Sequence, residues 1–188
     1  MTRSSILRLA SFTLLCITTV ATMHPAHAQG RFHVRGASGA RGSAINGGYT
    51  TASGGTIQHR GGTIVHGANG GSYVGHNSYT RNPDGSASSS HAGSGTTAAG
   101  GSFNTSGAYT RSSTGAVTGS AQTSGSGPRG TYDASTTTAN GITTHDTTAT
   151  NNATGITYNG QTTYTKGQGF THSGSCTNAS GQTVTCGQ

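Results

Sequence analysis

Polar and apolar positions in this chain are spaced for strands. In SYTRNPDG (Ser78 to Gly85), Tyr79 and Arg81 fall on one face of an extended chain and Thr80 on the other. The run ends in Asn82-Pro83-Asp84-Gly85, where Asn, Pro and Gly stand at positions that a type I turn favours. AYTRSSTG (Ala108 to Gly115) repeats the run and keeps the outer two turn residues. Asn140-Gly141 lies between TTTA and ITTH, and Asn159-Gly160 between ITY and QTT. Asn-Gly between such runs is the strongest short-range hairpin signal. Turn signals recur roughly every 8 to 20 residues, so the expected fold is all-β, with repetitive hairpins forming a thin meander or a β-solenoid-like array.

The repeat reaches further than its turns. GSYVGHNSYTR (Gly71 to Arg81) aligns with GSFNTSGAYTR (Gly101 to Arg111). GTYDAS (Gly130 to Ser135) opens a looser copy and GITYNGQTTYTK (Gly155 to Lys166) another. Tyr49, Tyr73, Phe103, Tyr132 and Tyr158 follow one another at 24 to 30 residues, a period typical of repeat architectures. Stacked copies would align Tyr79 and Arg81 with Tyr109 and Arg111, and with Tyr164 and Lys166. Each aromatic–cation contact in such a ladder is worth about 0.5 to 1 kcal/mol when exposed. The ladder is a candidate ligand surface, because aromatic faces and guanidinium groups suit sugars and anionic polymers. The plainer reading, preferred here, is packing, since Tyr supplies the only substantial apolar area in each unit.

These patterns divide the chain into a leader over 1–28, a flexible basic segment over 29–46, a Gly- and His-rich segment over 47–70, a β-repeat region over 71–175 and a hairpin over 176–188. The leader carries Arg3 and Arg8, an apolar stretch from Leu9 to Met23 and the small-x-small site Ala26-His27-Ala28, which reads as a secretory signal cleaved after Ala28. Beyond it Cys176 and Cys186 are the remaining cysteines, and an oxidising compartment favours their pairing. A loop at Ser180-Gly181-Gln182 would set Cys176 opposite Cys186. A bridge closing so short a loop is worth about 2.5 to 3 kcal/mol and would cap the end of the array.

Composition narrows the function classes. After residue 28 the chain has no Leu, Trp or Glu, and its Ile, Val and Phe are scattered, so a conventional packed core and a globular enzyme domain are not expected. The formal charge is +7, and setting aside Arg3 and Arg8 leaves +5. Several of these cations sit in Arg-Gly steps at Arg35, Arg41 and Arg60, which in an exported chain point to anionic envelope polysaccharide, lipopolysaccharide or extracellular DNA. Asp84, Asp133 and Asp146 are far apart, and His145-Asp146 would point to opposite faces of a strand, so no catalytic residues are assigned. His59 and His66 echo one another in GGTIQHRGGTIVHG and are weak metal-ligand candidates, because a hairpin turning at Arg60-Gly61-Gly62 would leave them on opposite faces. His33, His76, His91, His145 and His172 complete the set after the leader, and no cofactor is expected.

YTRNPDGSASSS, YTRSSTGAVTGS and the ending TYTKGQGFTHSGSCTNASGQTVTCG resemble uncharacterised secreted bacterial proteins built of Tyr-Thr-Arg and Gly repeats, over about Gly47 to the end. The resemblance implies export and repetition and no reaction. The expectation is a secreted, non-enzymatic repeat protein with a structural, adhesive or surface-matrix role. Its expected partners are copies of itself or anionic envelope and extracellular polymers. The alternative is a periplasmic or surface binder of polyanions or, more weakly, of metal.

Overall fold

The computed structural model describes residues 29–186. The leader expected over 1–28 and its cleavage site lie outside the described residues. The chain forms β1 (Gln29–Gly39), β2 (Gly42–Ser53), β3 (Thr56–Gly67), β4 (Ser72–Arg81), β5 (Ala87–Thr96), β6 (Ser102–Arg111), β7 (Val117–Gly127), β8 (Gly130–Ala139), β9 (Ile142–Asn151), β10 (Thr157–Thr165), β11 (Gly169–Thr177) and β12 (Thr183–Val184). Each strand pairs with the next in one sheet ordered as the sequence is, and every pairing is antiparallel. This is the all-β hairpin meander that the turn spacing predicts. One 24- to 30-residue repeat is one hairpin, that is, two strands.

The turns form as their residues dictate. Between β4 and β5, Gly85 N–H donates to Asn82 O at 3.1 Å and Asn82 N–H to Ser86 O at 2.9 Å. Between β6 and β7, Gly115 and Ser112 repeat both bonds, at 3.0 and 2.8 Å. At Asn140-Gly141 both residues have positive φ, 53° and 78°, as a two-residue type I′ turn requires.

Four expectations are revised by the strand pairing. Asn159-Gly160 is no turn but lies inside β10, paired with Thr148 and Thr147 on one side and Ser175 and Gly174 on the other. The Tyr158 ring lies across these positions: its Cζ comes 2.6 Å from where a Cβ on Gly160 would stand and 3.2 Å from that of Gly174. A turn there would give up both ladders and the seat of the ring. Arg60-Gly61-Gly62 likewise runs straight through β3, where Gly61 pairs with Gly48 and Asn77. Residues 29–46, expected as a flexible basic segment, are paired in β1 and β2 from Gln29↔Ala52 to Gly39↔Gly42. The C-terminal hairpin carries the expected Cys176–Cys186 disulfide, with Cα atoms 5.3 Å apart, but in a register shifted by two: Thr177 faces Thr183 and Cys176 faces Val184. The shift comes from the loop. Asn178 N–H donates to Gln182 O at 2.9 Å, and Asn178 Oδ1 accepts from the N–H groups of Ser180 and Gln182, so the loop closes at Asn178 and Gln182 and the bridge spans a diagonal.

The sheet is a single layer. Among described residues Ala134 and Cys176 are the only buried hydrophobic side chains, at 5% and 4% exposure. What replaces a core is aromatic side chains laid over glycine. Tyr73 covers Gly75 and Gly93, and Phe103 reaches 2.7 Å from where a Cβ on Gly95 would be. Glycine in a strand loses packing, and a neighbouring ring restores it. Hydroxyl pairs between strands, such as Ser78–Ser90 at 2.8 Å and Thr110–Thr118 at 2.9 Å, add to the backbone ladder.

Candidate binding face

Because the register never slips, residues line up in rows that cross the sheet, and the two faces differ in chemistry. One face, here the ring face, carries a row in which ring and small side chain alternate: Tyr73, Gly95, Phe103, Gly125, Tyr132, Ala149, Tyr158 and Cys176. Repeat markers 73, 103, 132 and 158 thus fall in one row on every second strand. Tyr49 departs from them and lies on the opposite face, paired with Phe32 and Arg60. A second row on the ring face runs Arg31, Thr50, His59, Tyr79, Ser89, Tyr109, Gly119, Thr138, Thr143, Tyr164 and Phe170. The other face, from β5 onward, is mainly Ser and Thr.

The expected ladder lies on the ring face, but it is not continuous. Ser89 stands between Tyr79 and Tyr109, and Ala87 between Arg81 and Arg111. A meander puts consecutive copies two strand spacings apart, about 9.5 Å, so like residues do not touch. At this level β8 contributes Thr138 instead of a ring. Lys166 lies just past β10, where its N–H donates to Gly141 O at 3.0 Å. At the C-terminal edge Tyr164 packs on Phe170 with ring centroids 4.8 Å apart.

Charge is segregated between the faces. The registers place the strand cations Arg31, Arg35, Arg81 and Arg111 on the ring face, with Arg60 on the other. Both strand carboxylates, Asp133 and Asp146, point to the hydroxyl face, where Asp146 Oδ1 accepts a hydrogen bond from Gln161 Nε2 at 2.8 Å. Asp84 remains in its turn. Its carboxylate accepts the Ser86 hydroxyl at 2.7 Å and the Ser86 N–H at 2.9 Å, and these bonds hold its pKa below the usual carboxylate value.

The histidines are scattered in the same way. His59 and His66 lie in one strand on opposite faces, and no group of three metal-ligating side chains occurs among described residues. His59 instead meets His33 across Gly48, with ring planes 11° from parallel and centroids 6.2 Å apart, while Thr50 Oγ1 and His59 Nδ1 share a hydrogen bond of 2.8 Å. His145 lies on the ring face between Thr136 (2.8 Å) and Thr147 (3.1 Å), on the opposite side of β9 from Asp146.

One concavity stands out. Phe103, Tyr132 and Tyr158 wall a cleft of about 800 Å³ whose floor includes Gly125 and Ala149 and whose rim carries Arg129. Gly125 and Arg129 did not emerge from the sequence. Only the pairing of Gly125 with Phe103 and Tyr132 brings the three together. The chain matches no family model, no curated protein and no solved structure.

Proposed function

We propose that this is an exported, non-enzymatic repeat protein with a structural, adhesive or surface-matrix role, which works by extending and presenting its sheet. The observation that carries this reading is the N-terminal edge. All 11 residues of β1 are exposed, and no described strand pairs with its outer side. A long edge of that kind is a template for another chain, and β1 lacks the proline or bulge that blunts such edges. Two β1 strands related by a two-fold axis normal to the sheet pair antiparallel, which continues the meander across the junction. Sedimentation of the exported chain over a range of concentrations tests this. Association that is weakened by Val34→Lys supports it, and a monomer at every concentration overturns it.

A second reading has its own support. Arg31, Arg35, Arg81 and Arg111 share the ring face with no strand carboxylate, so that face suits an anionic polymer such as lipopolysaccharide, acidic polysaccharide or extracellular DNA. Binding should weaken with added salt and fall in Arg81→Gln/Arg111→Gln. Salt-independent binding, or none, counts against it.

A further inference from the structure

The row that starts at Tyr73 treats its small residues unequally. Gly95 is roofed by the Phe103 ring, which stacks toward Tyr73 with ring planes 6° from parallel and centroids 5.9 Å apart. A Cβ on Gly95 would meet Phe103 Cζ at 2.7 Å. Gly125 occupies the equivalent place between Phe103 and Tyr132, yet a Cβ there would meet only Ser102 O at 3.2 Å and the Cβ and Cα of Phe103 at 3.5 and 3.9 Å, with no ring atom. Phe103 has turned toward Gly95, and Tyr132, 43% exposed, does not fill the space. A ring-sized seat is therefore left open over Gly125, continuous with the cleft that runs past Ala149 to Tyr158 and is overlooked by Arg129.

We propose that this cleft binds an acidic, extended β-1,4-linked saccharide, with one pyranose seated over Gly125 between Phe103 and Tyr132 and its carboxylate directed to Arg129. Aromatic walls suit the C–H face of a pyranose, Thr123 brings its hydroxyl to the same face beside Gly125, and no carboxylate is among the cleft's residues. Neighbouring strands are about 4.8 Å apart, close to the rise of one sugar in an extended β-linked chain, so successive sugars would meet successive strands along the row. Single-stranded nucleic acid also stacks on aromatic residues, but it needs a basic groove tracking its backbone, and this lining supplies one cation. The site shares the ring face with the polyanion reading but uses a different row, and it stands whether or not the chain self-associates.

Calorimetric titration of the exported chain, disulfide intact, with a β-1,4-linked hexauronate, its neutral glucan counterpart and polyphosphate tests the proposal. Saturable binding of the uronate is expected, weakened about tenfold or more by Tyr132→Ala and by Arg129→Gln. The neutral chain should bind more weakly, losing affinity in Tyr132→Ala but not in Arg129→Gln. Arg60→Gln, on the opposite face, should leave uronate binding unchanged, while Tyr79→Ala/Arg81→Gln, on the ladder row, reads the polyanion surface separately. Arg129 sits in an exposed two-residue turn, so its variant keeps the fold, which circular dichroism checks. Absence of saturation, polyphosphate binding as tightly as the uronate, or losses in the ladder variant rather than the cleft variants would each overturn the assignment. If the ladder variant alone loses uronate binding, the polyanion reading survives while the cleft does not.

Discussion

At the N-terminal end of the sheet the face opposite the rings is largely apolar, whereas from β5 onward that face is mainly hydroxyl. Phe32, Val34, Ile45, Tyr49, Ile64 and Val74 all lie on the face opposite His33, His59 and Tyr73, and they are exposed by between 42% and 58%. The same face of β9 to β11 presents Thr144, Asp146, Thr148, Asn159, Gln161, Thr163, Ser173 and Ser175. The two edges differ in the same sense. β1 is long and no described strand pairs with its outer side, while at the other edge a two-residue β12 folds back onto β11 and is tied by Cys176–Cys186. On that face, exposed apolar area and an open edge occur together at one end, and polar surface with a covalent tie at the other. The self-association proposed above would use the N-terminal edge alone, because only that edge is both long and open among the described strands.

Removing the tie should have the largest effect. Cys176→Ser/Cys186→Ser is expected to cost about 2 to 3 kcal/mol, because the bridge restricts a short loop in the unfolded chain. Denaturant titration measures the loss. Amide exchange should show β11 opening as readily as β1, and protection of β11 that matches the bridged protein would mean that the backbone ladder alone holds the C-terminal edge.

Substitution at glycine probes the next difference. Gly95→Ala drives a methyl into the Ser72 carbonyl and the Phe103 ring, and should cost about 1 to 3 kcal/mol as overpacking does. Gly47→Ala, in the N-terminal strands, meets His33 O and Val34 Cγ2 at an ordinary 3.6 Å and should stay within about 0.5 kcal/mol of the parent. Thermal melts of the two variants compare them directly, and equal losses would remove the ring-over-glycine account of the repeat strands. A double-mutant cycle on Tyr73→Ala and Phe103→Ala should then give a coupling of about 0.5 to 1.5 kcal/mol, and a cycle that sums to zero would mean that the two rings lean together without attraction.

The hairpin repeat was legible because its signals are local: Asn82 to Gly85, Ser112 to Gly115 and Asn140-Gly141 each fix a turn through their own side chains and φ values. Asn159-Gly160 carries the same dipeptide as Asn140-Gly141 and misleads, because the partner that keeps it extended is Gly174 beneath the Tyr158 ring, 14 residues on. The pairing of Tyr79 with Arg81 on one face follows from strand alternation alone. The spacing of successive ladder pairs does not, since it depends on whether copies meet as a solenoid or as a meander. The cleft was invisible for the same reason. A glycine left bare in one row and roofed in its equivalent is a property of ring orientation, and the sequence around Gly95 and Gly125 does not encode it in any short window.

The smallest expected effect lies at the border between the two regions, in the β4–β5 turn. Asp84 accepts two bonds from Ser86, whereas the matching β6–β7 turn uses neutral groups: Ser112 Oγ and Thr114 Oγ1 lie 2.8 Å apart and Ala116 N–H donates to Ser112 Oγ at 3.0 Å. Because the Asp84 carboxyl is held below its ordinary value in the folded chain, its contribution is complete above the unfolded carboxyl pKa of about 3.9 and is lost as pH falls through the lower, folded value. Full exposure and solvent screening keep the effect local. Amide exchange at Ser86, corrected for its intrinsic pH dependence and set against Ala116, should therefore rise on acidification at the first turn only. Asp84→Asn should remove the difference in pH response. If Ser86 and Ala116 lose protection together on acidification, the cause is opening of the whole sheet, and the border between the two regions is not set at this turn.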